Sequence, residues 1–172
     1  MQAKVIKVQK RTKDKINNCP YNLYLNELID HVPLGGWIIF LDDDGKMLKA
    51  DSLDNLAAAI KRAEKEKKGM VLSRITYGPN NKILRGSCWE KSMKEFRDLI
   101  KKDWWSCRID TAMMAIKKTA DMQKWESKCA GDVRFLNNNI QFSGYEIYYN
   151  KSEPIISANY FGQGKGTRKD LT

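Results

Sequence analysis

Three consecutive carboxylates, Asp42-Asp43-Asp44, follow the uninterrupted apolar run Trp37-Ile38-Ile39-Phe40-Leu41 and precede Gly45. Adjacent carboxylates repel at neutral pH, and a bound divalent cation removes that repulsion. A metal site is therefore the first chemical expectation. A second acid, Asp132, belongs to a Gly131-Asp132 pair that opens a predicted helix running through Phe142, where Gly144 breaks it. Asn22 and Asn26 stand four apart, on one face of another predicted helix, where they brace neighbouring loops or face a ligand. The stretch Gly162 to Asp170 carries Lys165 and Arg168 among three glycines and reads as a flexible tail over 160–172, able to approach phosphates.

Other groups point away from chemistry. His31 is the one histidine, placed near a helix end where a cation suits the helix dipole. Cys19, Cys88, Cys107 and Cys129 form no Cys-x-x-Cys pair, so zinc is disfavoured and four reduced thiols of a cytoplasmic chain are expected. The acid-loop pattern of an EF-hand fails as well, because Phe40 holds a position that pattern reserves for an acid.

The elements that must position these groups alternate between strand and helix. Val5 to Val8 reads as a short strand, followed by the basic turn Lys10 to Lys15. Tyr21, Leu25, Leu28, Ile29 and Val32 recur at helical spacing after Pro20 and stop at Pro33 and Gly35. The run Trp37 to Leu41 lacks alternation, which predicts a strand covered on both faces inside a largely parallel sheet. Ligand chemistry falls at the carboxyl ends of such strands. Ser52 with Asn55 predicts a helix cap, Leu53 to Ala63 an apolar helix face, and Gly69 its end. Met70 to Tyr77 and Lys82 to Leu84 predict a hairpin through Gly78-Pro79-Asn80-Asn81. Ser92 and Glu95 form a capping-box pattern for a helix to Lys102. Asp110 predicts another helix, through Met113, Met114 and Ile116 to Ala120. Tyr145 to Tyr149 and Pro154 to Ser157 read as strands.

The chain has 172 residues, with 31 basic against 21 acidic side chains and a net charge of +10. That length suits one domain, 1–172, with a proper core, and the charge attracts anions. No apolar run reaches the roughly 20 residues needed to cross a bilayer, so no membrane span is expected.

The order of parts resembles the GT-A fold of nucleotide-sugar glycosyltransferases: a helix with spaced asparagines, a strand ending in Asp-Asp-Asp, a helix, a hairpin, then Gly-Asp opening a helix before a Tyr-rich strand. The resemblance covers roughly Val5 to Ser157 and is closest to the family-2-like members. It implies an α/β, Rossmann-like domain with a mixed, mostly parallel central sheet flanked by helices. In that family a DxD motif holds a divalent metal, usually manganese, with magnesium the substitute. By resemblance Asp44 and Asp42 are the metal ligands, with Asp42 and Asp43 supporting a nucleotide-sugar donor. Asn26, Lys165 and Arg168 are the further donor contacts. In inverting members an acid at the start of a later helix takes the proton of the acceptor hydroxyl, the position matched by Asp132. The implied acceptor is a glycan or a protein-linked hydroxyl. Two departures stand out: family members usually begin with another strand, helix and strand, so either the donor half is shortened or its start lies upstream of this sequence, and Leu25 precedes Asn26 where arginine is frequent.

Two other readings predict different behaviour. A nucleic-acid-binding module is suggested by the charge and by Trp89, Trp104, Trp105 and Trp125, although no RNA- or DNA-binding signature accompanies them. A degenerate transferase domain would fold yet neither bind nor hydrolyse a nucleotide sugar.

Overall fold

A computed structural model describes residues 21–41, 45–78, 80, 82–84, 91–102, 114–126 and 131–158. The order of elements is α1 (Tyr21–Asp30), β1 (Trp37–Ile39), β2 (Lys46–Met47), α2 (Ser52–Lys65), β3 (Met70–Ser73), β4 (Ile75–Tyr77), β5 (Lys82–Leu84), α3 (Met93–Lys102), β6 (Met114–Lys117), α4 (Gly131–Phe142), β7 (Ile147–Asn150) and β8 (Ile156–Ala158). Two four-stranded sheets result, ordered β1-β6-β3-β7 and β2-β8-β4-β5. They are nearly continuous, because β4 follows β3 after Arg74 alone, β7 pairs with β3, and β8 pairs with β4.

The protein is α/β, but its sheets are mixed rather than mostly parallel. Among the described residues four strand pairings are antiparallel and two parallel. Two of the four antiparallel pairings involve β6. Met114 to Lys117, expected within a helix, is a strand inserted antiparallel between β1 and β3. A short apolar run carries no periodicity that separates buried helix from buried strand, and here the two neighbouring strands decide.

The first sheet buries both faces. On one, Ile38, Phe40, Met70, Leu72, Ile116 and Ile147 pack against α1, α3 and α4 through Leu25, Ile29, Phe96, Ile100, Phe135, Leu136 and Ile140. On the other, Val71 and Ala115 meet Leu56, Ala59, Ile60 and Ala63 of α2. The alternation along β3 follows from the period of two, Met70 and Leu72 facing one way and Val71 the other. Strand β1 departs from expectation. Its burial alternates: Ile38 and Phe40 are buried, whereas Ile39 and Leu41 are 41% and 52% exposed. Strand β3, with all four residues buried, has the two-sided cover predicted for β1.

Helix ends also show where local sequence sufficed. At α3 the capping box forms as predicted: Ser92 Oγ accepts from the Glu95 backbone N–H at 3.3 Å, and Glu95 Oε2 accepts from the Ser92 N–H at 2.9 Å. At α2 the expected Ser52 cap does not form. The cap position is Asp51, with no side-chain cap bond, and the Ser52 hydroxyl, buried, donates instead to the Ile155 carbonyl at 2.8 Å. The left-handed residue after α2 is Lys67, at φ 56°, rather than Gly69. Gly69 has a different reason to lack a side chain: a Cβ there would lie 2.8 Å from the Tyr145 ring. No helix among the described residues is long and apolar enough to cross a membrane.

Candidate functional site

Because β1 and β3 are each antiparallel to β6, and β7 is parallel to β3, strands β1, β3 and β7 point the same way. Their carboxyl ends, at Ile39, Ser73 and Asn150, therefore share one end of the sheet. In open α/β sheets that end is where ligands bind. The connection from β1 to β2, residues 40–45, leaves from this end and links the two sheets. It carries Asp42, Asp43 and Asp44, which lie outside the described residues, as do Lys165 and Arg168. Asp132 is in the first turn of α4, at the position predicted for it.

What the structure describes is the chain next to Asp42 and Asp132 in sequence. Phe40, two residues before Asp42, is buried against Trp125 and Phe135. Its ring meets Trp125 edge-on at 5.4 Å and Phe135 edge-on at 5.7 Å, while Trp125 and Phe135 stack at 4.7 Å with 9° between planes. Edge-to-face and offset-stacked pairs are the favoured aromatic geometries. Phe135 stands one helical turn after Asp132, so the end of β1 and the first turns of α4 meet at a single aromatic junction. Trp125, 5% exposed, is a core residue and offers no face for base stacking. Trp89, Trp104 and Trp105 lie outside the described residues.

The irregular segment leading to α4 is held by asparagines. Asn26 on α1 donates from Nδ2 to the Trp125 carbonyl at 3.0 Å and accepts the Trp125 N–H on Oδ1 at 2.9 Å. The side-chain amide thus pairs with the peptide as a second strand would. Asn139 on α4 treats Gln123 similarly, accepting its N–H at 2.9 Å and donating to its carbonyl at 3.4 Å, and also donates to the Phe135 carbonyl at 2.8 Å. Asn138 Nδ2 donates to Glu126 Oε1 at 3.0 Å. Of the two readings open for Asn26, brace or donor contact, this geometry favours the brace. Asn139 was missed in the sequence. Its signal was the run Asn137-Asn138-Asn139 between the apolar pair Phe135-Leu136 and Ile140, and Asn137 and Asn139 are both fully buried. Buried amides require partners.

A second polar cluster closes the carboxyl ends of β3 and β7. Buried Asn150 donates to Asn55 Oδ1 at 3.0 Å and to Ser73 Oγ at 3.1 Å, and Ser152 Oγ donates to Asn55 Oδ1 at 2.9 Å. These groups satisfy one another and anchor the amino end of α2 to the sheet. Asn55 is thus a tether rather than part of a cap.

No three His, Cys, Asp or Glu side chains converge among the described residues in a way that could hold a metal ion. The acidic triplet, outside that set, supplies only carboxylate oxygens, a donor chemistry suited to manganese or magnesium and not to zinc. Comparison with protein-family models, curated proteins and solved structures gave no match. The fold and scaffold define an α/β protein with two mixed sheets and an acidic loop at the carboxyl end of a strand.

Proposed function

We propose that the chain is a metal-dependent glycosyltransferase of GT-A type, moving a sugar from a nucleotide-sugar donor to a hydroxyl on a glycan or protein with inversion. One observation carries the reading. The aromatic junction of Phe40, Trp125 and Phe135 fastens the strand that leads into Asp42-Asp43-Asp44 to the helix that begins at Gly131-Asp132. Two acidic elements about 90 residues apart in sequence are thereby tied to one core, as a shared site requires.

Asp42 and Asp44 are the residues that would hold Mn²⁺ or Mg²⁺, and Asp43 supports the donor. The cation supplies positive charge to the diphosphate as it leaves. Asp132 accepts the proton of the acceptor hydroxyl, which is too weak a nucleophile to attack while it keeps that proton. Lys165 and Arg168 neutralise donor phosphate. Asn26 and Asn139 keep the approach to α4 in place.

The test is a thermal-shift screen of nucleotide sugars with and without Mn²⁺. A donor that binds the folded state raises the melting temperature by mass action. The expected result is a metal-dependent rise with one donor class that disappears in Asp44→Ala, with turnover abolished in Asp132→Asn while donor binding persists. Absence of a metal-dependent shift with every donor would overturn the proposal. Salt-sensitive oligonucleotide binding that survives Asp44→Ala would replace it with the nucleic-acid reading.

A further inference from the structure

A second concavity lies elsewhere on the molecule, between the start of α3 and strand β7. Its volume is about 370 Å³, and three lysines from three separate segments line it: Lys68 after α2, Lys91 just before α3 and Lys151 just after β7. Met93, Ile147 and Tyr149 supply the apolar part of a wall that is as polar as it is apolar. Two bonds fix the shape by tying β7 to α3: Tyr149 Oη donates to the Lys91 carbonyl at 3.2 Å, and the Ile147 N–H donates to Met93 Sδ at 3.4 Å.

The charge balance of this pocket is positive. Among the described residues that line it Glu95 is the one acid, and its carboxylate is engaged by the Ser92 hydroxyl at 2.7 Å and N–H at 2.9 Å. Lys68 also pairs with Glu66 at 3.0 Å. The capping box engages the Ser92 and Glu95 amides, and the lysines are the cationic groups that line the pocket. Lysine acts on phosphate as a flexible point charge, without the fixed fork of arginine. A concavity lined by three lysines beside an apolar patch fits a compact anion with a small organic body. A nucleic-acid track would need an open stripe of charge instead.

We propose that this pocket binds a phosphate group, either as free phosphate or as the ester of a small molecule such as a sugar phosphate. It is separate from the strand that precedes the acidic triplet: β7 and β1 lie at opposite edges of the sheet, three strand spacings or about 14 Å apart. The inference does not depend on the transferase reading, since neither Asp42 to Asp44 nor Asp132 takes part.

The experiment is a two-dimensional amide NMR titration of the full chain with inorganic phosphate and, separately, ribose 5-phosphate, at ionic strength held constant with sodium chloride. Saturable shifts are expected at Ser92, Met93, Tyr149 and Lys151. The double variant Lys91→Gln/Lys151→Gln should weaken binding about tenfold, since each surface charge pair contributes modestly. A control pair on the exposed face of α2, Lys61→Gln/Lys65→Gln, should leave affinity unchanged. Equal affinity for the two probes assigns the pocket to the free anion, and tighter ribose 5-phosphate binding assigns it to esters. If the double variant fails to fold, each single variant serves in its place. Shifts that never saturate, that spread over the basic surface, or that weaken equally in the control pair would overturn the proposal.

Discussion

Replacing Asn26 by alanine removes both hydrogen bonds to Trp125 and leaves a peptide N–H and C=O without those partners. Trp125 is 5% exposed, so water reaches that peptide poorly. An orphaned buried polar group costs about 1–3 kcal/mol. Asn26 itself is half-buried, and some water can enter the space the amide leaves, so the lower part of the range applies to each group. The expected loss is therefore about 2–4 kcal/mol. For a chain of this size that lowers Tm by roughly 5–15 °C. Urea unfolding followed by tryptophan fluorescence measures it, with Glu27→Ala on the exposed face of the same helix as the control. Asn26→Asp sharpens the test. The carboxylate still accepts the Trp125 N–H but, when ionised, faces the Trp125 carbonyl oxygen. Its folded pKa is then raised, so its contribution is present at low pH and lost as pH rises through that value. Relative to wild type, Asn26→Asp should recover stability as pH falls. A loss below about 0.5 kcal/mol in Asn26→Ala, within the range of ordinary surface substitutions, would refute the clamp.

Gly69→Ala places a Cβ 2.8 Å from Tyr145 Cδ1 and 3.0 Å from Cε1, against a ring whose hydroxyl is held by the Lys117 carbonyl at 2.6 Å. Overpacking of this kind should cost about 1–3 kcal/mol by urea unfolding. Glu64 accepts from the Trp37 indole N–H at 3.0 Å and from Lys117 Nζ at 3.2 Å, and these partners, Trp37 first, hold its carboxyl below the usual range. A lowered folded pKa contributes stability above the unfolded carboxylate range that is lost as pH falls through the folded value. Glu64→Gln should therefore flatten the acid limb of the stability–pH curve, and an unchanged limb would show that the contact carries no net energy.

How much of this was legible beforehand differs from element to element. Helices α1, α3 and α4 could be read from spacing, capping residues and breakers, because each signal lies within a few positions of the structure it specifies. The Asp-rich end of β1 was equally local. The strand at Met114 was not, since four apolar-rich residues become strand only between Ile38 and Val71, which pair with Ile116 and Ala115 from 78 and 44 positions away. The Ser52 cap failed for a similar reason: Ile155 offers its hydroxyl a buried acceptor 103 residues distant. The one-sided exposure of Ile39 and Leu41 depends on which neighbours β1 acquires, which no window of sequence contains.

The sequence alone placed three carboxylates after a strand and an Asp at the start of a helix, because composition and local periodicity determine both. Tertiary structure decided what lies between them: a junction of Phe40, Trp125 and Phe135, and the Asn26 clamp spanning 99 residues. Such contacts form only when distant segments bury apolar surface together, and an amide that pairs a backbone across that distance leaves no periodic trace in the chain.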